Sequence, residues 1–573
     1  MAESAPGSAN PKSAIRRHFE RPLDAAEREQ TAVSQLPRAE SAPVPANPKS
    51  EIRNPRSSLI VLHTSDLHGR VHPHDALADR DFGQGLARVA AAVRTIRAEG
   101  PVLLLDSGDT IEGSPTQSLV FLGAVGNGAD PIVRAMNLLG YDAMAVGNHE
   151  FDFGLARMER SRRESRFPWL SANIVREDGR PLFVPYLIKE VGGARVGILG
   201  LTTQLVPVWE GPRVVGLRFL DTLETARKYV PLLRSKERCD VVIVLTHQGL
   251  GEERAGTEEN QAGAIAAEVR GIDLVLTGHT HTVVEPRRVG TAWVSQPGRF
   301  GEALTRFDLK LEPQGGRRRV VAISGRNIPM KDRAVDPEIV KAVAPEHEET
   351  MTKLAERVAE VASPVSARRA RTADTPLLDW LHTVQRREGR ADLSFASLLP
   401  GSLPDWLGPL TLRQIWAFYP YENTLVTLRA TGRQVREALE IAARCVSGIA
   451  SQDGHPVWQR NPAVWGYNCD TLEGADYALD PTRPEGERLL FLRRNGAPVR
   501  DEELFTVALN SYRASGGGGF RVWRDCPRVA ESKATLRDLL VDDARRRGRL
   551  TFETNENWYL VPTLPEGRFR ASP

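Results

Sequence analysis

The chain has 573 residues, 41% of them apolar, with 76 Lys and Arg against 73 Asp and Glu. That balance excludes a strongly basic nucleic-acid-polymer binder and a strongly acidic tail protein, while the length predicts two to four domains at roughly 100–200 residues each. No apolar run approaches the ~18 residues of a membrane span. The four cysteines, Cys239, Cys445, Cys469 and Cys526, have the spacing of neither a zinc knuckle nor a disulfide-dense scaffold.

Residues 1–57 are rich in Ala, Pro, Ser, Glu and Arg without a sustained apolar period, which predicts a disordered tail. A motif at Glu3–Arg16 returns 37 residues later at Glu40–Arg53, and two polar copies cannot stack into a core. Neither a basic n-region nor an apolar h-region follows Met1, so the sequence as written predicts a cytoplasmic chain. With a different start, the expectation becomes periplasmic or extracellular.

Order is expected from Ser58. Leu59–Leu62, Val102–Leu105, Ala143–Val146, Val196–Leu201, Val241–Leu245 and Leu274–Leu276 read as buried strands, alternating with helical stretches such as Leu86–Ala98 and Asp130–Leu139. This predicts a layered α/β domain over 58–333. A linker of one helix is expected within 334–362, since Pro337–Val361 is rich in Glu, Lys and Ala. A second, less regular α+β domain follows over 363–567, with a short tail at 568–573. In it, Leu377–Arg387 and Gly432–Ala443 read as helices, Thr424–Ala430 and Leu504–Leu509 as strands, and Val446–Ala463 as a loop insertion.

Five short motifs each follow a predicted strand: His63-Thr-Ser-Asp66-Leu-His68, Asp106-Ser-Gly-Asp109, Gly147-Asn148-His149-Glu150-Phe151-Asp152, Thr246-His247-Gln-Gly249 and Thr277-Gly-His279-Thr-His281. The carboxyl ends of parallel strands share one edge of a sheet, so loops far apart in sequence converge there. What gathers is Asp, His and Asn, a set of oxygen and imidazole donors without thiolates. Such a set suits Mn, Zn, Co, Fe or Ni. Two divalent ions with a shared carboxylate form a common hydrolytic arrangement for phosphate esters. His72, His74, His347, His382 and His455 lie in loops or polar stretches and receive no role, and His63 reads as a strand-end packing residue.

On these motifs the chain resembles the calcineurin-like metallophosphoesterase superfamily. With its second domain, it resembles the two-domain 5′-nucleotidase family, which includes 2′,3′-cyclic-nucleotide 2′-phosphodiesterase/3′-nucleotidases. The resemblance spans about residues 58–567. It implies a four-layer α/β/β/α catalytic domain, a C-terminal α+β substrate-binding domain and two divalent metal ions. It further implies that Asp66, His68 and His281 hold one ion, that Asn148, His247 and His279 hold the other, and that Asp109 bridges them. His149 would then act as general acid or transition-state stabiliser, oriented by Asp152.

In the second domain, Phe418-Tyr-Pro-Tyr421-Glu-Asn423-Thr and Asn510-Ser-Tyr512-Arg-Ala-Ser-Gly516-Gly517-Gly518-Gly519-Phe520 carry the resemblance further. It implies that Tyr421 and Tyr512 sandwich a nucleobase, with Asn423 and Gly516, Gly517 and Gly518 lining the site. Where many 5′-nucleotidases carry an Asp for the ribose hydroxyls, this chain has Gly518. That difference, with Tyr467-Asn-Cys-Asp470, favours the cyclic-nucleotide branch; Asp152 instead matches 5′-nucleotidases. The expected function is therefore a 2′,3′-cyclic-nucleotide 2′-phosphodiesterase/3′-nucleotidase acting on a nucleotide substrate. A 5′-nucleotidase or broad phosphomonoesterase is the enzyme alternative, and a non-catalytic nucleotide-binding scaffold the alternative from another class.

Overall fold

The computed structural model describes residues 58–251, 258–452 and 455–562. The tail at 1–57 with its duplicated motif, and the tail at 568–573, lie outside the described residues.

The first domain contains, in chain order, β1 (Ser58–Thr64), β2 (Val102–Asp106), β3 (Ala143–Ala145), β4 (Trp169–Leu170), β5 (Tyr186–Val191) and β6 (Ala194–Thr202). These are followed by β7 (Val241–His247), β8 (Leu274–Leu276), β9 (Val283–Val289), β10 (Ala292–Pro297), β11 (Ala303–Gln314) and β12 (Arg317–Pro329). They form two six-stranded sheets, ordered β12-β11-β1-β2-β3-β4 and β9-β10-β8-β7-β6-β5. Strands β1 to β4 run parallel to one another, as do β6, β7, β8 and β10.

The continuous apolar runs follow from burial on both faces. In β1, Leu59 and Val61 enter the core between the sheets, while Ile60 and Leu62 face the helical layer outside. In β7, Val241, Ile243 and Leu245 take the inner core, and Val242 and Val244 the outer one. Helices α1 (Leu86–Arg97) and α2 (Pro131–Leu139) cover one sheet; α3 (Thr222–Ser235) and α4 (Ala262–Glu268) cover the other. The domain is therefore the expected four-layer α/β/β/α stack. The expected single sheet edge is corrected: three motifs leave β1, β2 and β3, but the other two leave β7 and β8 of the second sheet.

Helix α5 (Pro337–Leu354) begins where Asp336 accepts hydrogen bonds from the Glu338 and Ile339 amides. It stops before the predicted end of the linker helix. Residues Arg357–Val365 form strand β13, paired with β14 (Trp406–Thr411) and with Arg549–Leu550. The β-branched Val358, Val361 and Val365 bury against the second domain, and that tertiary packing outweighs the helical bias of Glu and Ala. Val446–Ala463 is likewise not a plain loop, because Val446–Gln452 and His455–Arg460 pair as a hairpin. His382 lies in a helix, Pro376–Gly389, where it is buried and bonds the Ser394 and Thr471 hydroxyls. His347 sits in α5 with its ring stacked on His72, centroids 3.9 Å apart.

The two domains share an apolar joint. Leu119, Val120 and Val125 of the first belong to one core with Leu354, Ile415 and Trp416. An ion pair between Asp79 and Arg413 crosses the same joint. Among the described residues, no helix is long and apolar enough to cross a membrane.

Candidate active site

The five strand-end motifs converge. Asp66, His68, Asp109 and His281 form one group of closely spaced ligand atoms, and Asp109, His247 and His279 another, with Asp109 common to both. The backbone is committed to this arrangement. Asp66, His68, Asp109, His279 and His281 all have positive φ, 52°, 48°, 54°, 72° and 55°, a conformation that costs a side-chain-bearing residue energy. Cross-links between loops hold them there. The His68 amide donates to the Asp109 carbonyl, the His279 amide to the Asp66 carboxylate, and the His149 amide to Asp109 Oδ1.

A buried carboxylate quoted within a motif but given no role does much of this. Glu150 accepts from the amides of Gly147, Asp109, Thr110 and Ile111, tying the Asp109 loop to the Asn148–His149 loop. Burial and the neighbouring Asp109 charge push its pKa up to about 7, against the pull of these amides.

The donors fit divalent cations. His68 Nδ1 lies 3.0 Å from the Glu112 carbonyl and His247 Nδ1 2.8 Å from the Ser107 carbonyl, which assigns the protons to Nδ1 and leaves each Nε2 as a lone-pair donor. Asn148 Oδ1 is buried without a hydrogen-bond partner, and His247 Nε2 lies 3.0 Å from Asp109 Oδ2. His68 Nε2 and His281 Nε2 stand 3.0 Å apart, with Asp66 Oδ1 3.4 Å from the latter. Converging lone pairs at such distances call for a cation among them. Glu259, which the motifs did not reveal, lies 2.9 Å from His279 Nε2 and leaves Nδ1 of that ring for an ion. Its position depends on a loop fold that no spacing announces.

Beside these groups, His149 Nδ1 lies 3.0 Å from Asp152 Oδ2 and 3.6 Å from Glu112 Oε2. Burial opposes charge on His149, yet Asp152 and Asp109 hold its pKa well above the ordinary imidazole value. Burial, then the neighbouring Asp152 charge, pushes Glu210 well above the carboxylate range. Arg213 flanks Glu210 at 3.3 Å. His63 is fully buried on the Ser107 hydroxyl, a packing position.

The second domain brings Tyr421 to this site. Tyr421 is still 41% exposed; crowding by its neighbours raises its phenol pKa, and positive charge from Arg299 and His149 of the first domain works against that rise. Tyr512 and Tyr467 lie close enough to Tyr421 and Glu259 for their phenols to respond to them. Tyr467 thus joins the two expected tyrosines, with Trp465 stacked parallel on its outer side. Asn423 does not face a ligand alone: its Oδ1 meets the Ser511 hydroxyl at 3.5 Å, joining the Tyr421 and Tyr512 loops.

Gly517 and Gly518 are packing positions, whereas at Gly516, with φ +88°, a Cβ would meet nothing nearer than 3.5 Å. A Cβ at Gly517 would strike the Tyr512 ring, and one at Gly518, where φ is +67°, would strike Asn468 and Arg513. Arg513 organises this region and was not singled out by its sequence context. It pairs with Asp470 at 2.8 Å, donates to the Tyr467 and Gly517 carbonyls, and is buried with Asp470. One residue before Asp470, Cys469 forms a disulfide with Cys445.

Residues 59–283 match the calcineurin-like phosphoesterase family, and residues 352–525 the 5′-nucleotidase C-terminal domain. The chain is 28% identical to the 2′,3′-cyclic-nucleotide 2′-phosphodiesterase/3′-nucleotidase of Salmonella typhimurium, over 90% of this chain and 91% of that protein. It is 27% identical to the snake venom 5′-nucleotidase of Gloydius brevicauda, over 81% and 82% of the respective chains. A Staphylococcus aureus structure assigned as a 5′-nucleotidase and solved with alpha-ketoglutarate shares the fold, with a TM-score of 0.79 and 24% identity. That match covers 88% of this chain and 99% of that one.

Proposed function

We propose, from the premise that this chain is a phosphoester hydrolase joining a calcineurin-like phosphoesterase domain to a 5′-nucleotidase C-terminal domain, that it acts as a 2′,3′-cyclic-nucleotide 2′-phosphodiesterase/3′-nucleotidase. The observation that carries the nucleotide reading is the packing of the helical turn Ser511–Ala514, which bears Tyr512, on Val206–Glu210 of the first domain. An aromatic group of the second domain is thereby set beside the acidic and imidazole cluster. The scaffold alternative falls away with the enzyme premise and the full donor set.

Asp66, His68 and His281 would hold one divalent ion, Asn148, His247 and His279 a second, and Asp109 would touch both. Bound there, such ions supply Lewis acidity at the phosphoryl oxygens and lower the pKa of water near neutrality. The chain's own residues do the rest. Tyr421 and Tyr512 fix the base by stacking. His149, held cationic by Asp152 and Asp109, keeps a proton on Nδ1 toward Asp152 and presents the Nε2 proton to the phosphoryl group or the leaving oxygen. Asp152 orients that ring through its contact with Nδ1.

The cyclic and 3′ preference is supported at Gly518. With the space beside it filled by Asn468 and Arg513, no side chain there reaches a free 2′,3′-diol. Asp152 and the 5′-nucleotidase relatives favour the second reading, a 5′-nucleotidase. Phosphate release from 2′,3′-cyclic AMP, 3′-AMP and 5′-AMP with Mn, Co or Zn separates the two: the first pair should show the higher kcat/KM, and a clear lead for 5′-AMP would establish the second reading instead.

We also infer that the chain works in an oxidising compartment, because the Cys445–Cys469 disulfide persists where thiols are not kept reduced. Non-reducing peptide mapping of the native protein should recover the bridged pair; recovery of two free thiols would return the cytoplasmic expectation.

A further inference from the structure

Arg299 stands at the mouth of the same cleft and has no role in the arrangement described so far. It follows β10 in a turn where Gly298, Phe300 and Gly301 all have positive φ. The turn is anchored: the Phe300 amide donates to the Asp66 carbonyl at 2.8 Å, and the Gly85 amide donates to the Phe300 carbonyl at 2.8 Å. The Phe300 ring meets His68 edge-on, centroids 5.6 Å apart, and the Arg299 guanidinium lies 4.8 Å from that ring's centroid. Arg299 Nη1 is 3.3 Å from His281 Nδ1. The side chain is exposed and pairs with no carboxylate among the described residues.

The contact with His281 cannot survive loading of the centre. His281 Nε2 faces His68 Nε2 and Asp66, so an ion there takes that lone pair and leaves the proton on Nδ1. Guanidinium nitrogens are donors only. Two donors would then point at each other, and the guanidinium must turn to another acceptor. It stands beside the first domain's His281 and close enough to the second domain's Tyr421 to act on its phenol. A phosphoryl group placed at the Asp66, His68 and His281 cluster would lie beside this guanidinium. A planar fork of N–H groups matches two phosphoryl oxygens.

We propose that Arg299 is a specificity-determining residue that binds the substrate phosphoryl group and favours the dianionic monoester over the monoanionic cyclic diester. The proposal rests on the nucleotide-phosphoesterase reading but has a consequence independent of it, affinity for inorganic phosphate. In Arg299→Gln, KM for 3′-AMP should rise roughly 10- to 100-fold, the range for losing a charged hydrogen bond, with kcat changed less than about 3-fold. KM for 2′,3′-cyclic AMP should rise less. Arg299→Lys, keeping charge without the fork, should fall between wild type and Arg299→Gln.

Equilibrium dialysis of labelled inorganic phosphate against the metal-loaded protein should show a comparable loss in Arg299→Gln, with metal content and adenosine affinity unchanged. Unchanged phosphate affinity overturns the proposal. So does a fall in metal content that accounts for the kinetic loss, since Arg299 would then act by positioning His281. If wild type hydrolyses no nucleotide but Arg299→Gln still weakens phosphate binding, the phosphate-binding role stands and the nucleotide reading falls.

Discussion

The phosphoryl side of the site rests on strained backbone at strand ends, whereas the base side is braced by side-chain pairs, and the two are secured differently. On the first side, five candidate ligand residues accept left-handed backbone because two sheets and the Glu150 carboxylate over-determine their loops. On the second, Tyr421, Tyr467 and Tyr512 come from separate segments held by two buried ion pairs, Arg513–Asp470 and Arg537–Glu422, and by the contact between Asn423 and Ser511. Left-handed backbone fixes the donors on one side; buried charge pairs fix the ring-bearing segments on the other. If that contrast is right, damage to one side should leave the function of the other measurable.

The largest effect is expected at Asp109. Asp109→Asn keeps the shape but removes the charge common to both ligand groups, and turnover should fall toward background, with metal content reduced and the thermal transition still cooperative. Near-wild-type activity in metal-replete buffer would show that Asp109 serves neither group as proposed. His149→Ala should lower kcat by roughly 10²–10⁴-fold, the range for acid–base assistance, without loss of metal by elemental analysis. Loss of one metal equivalent would make His149 a ligand instead.

On the base side, Asp470→Ala leaves Arg513 buried and unpaired. Breaking such a pair costs about 3–5 kcal/mol, read as a lower chemical-denaturation midpoint. KM for nucleotides should rise with it, while hydrolysis of p-nitrophenyl phosphate, which has no base, should keep its kinetics at temperatures where the variant is folded. Equal loss on both substrates would erase the contrast between the two sides. Tyr421→Ala or Tyr512→Ala should each cost about 1–3 kcal/mol of base stacking, appearing mainly in KM for nucleotides. An unchanged KM would remove that ring from the base site.

A gradual effect, spread over several pH units, concerns acid stability beneath the base side. His382, under Ser394 and Thr471, has its pKa lowered by burial to about 3 from 6.5. The unfolded chain therefore binds a proton that the folded chain refuses between about pH 6.5 and 3. Its stabilising contribution is complete above that window and is lost as pH falls through it, at up to about 1.4 kcal/mol per pH unit. Denaturation curves for His382→Gln across pH 4–7 should have a shallower slope than wild type; an identical slope would place the acid sensitivity elsewhere.

The amino-acid sequence alone determined the first domain's strands and the ligand-bearing loops. Strands buried on both faces must be continuously apolar, and the donor motifs follow each one directly, so the loops could be located from local pattern. The family resemblance of those motifs then singled out Asp66, His68, Asp109, Asn148, His247, His279 and His281, and likewise Tyr421 and Tyr512. Tertiary structure alone decided that the motifs leave two sheets rather than one, because neighbouring strands leave no mark on which sheet they join. It made a strand of Arg357–Val365, where burial of three valines outweighs a helical composition. It assigned Glu150, Glu259, Arg513 and Arg299 their places, since a side chain that works by reaching across to another loop has no periodicity or spacing to betray it. And it filled the space at Gly518, which the sequence shows only as a missing carboxylate.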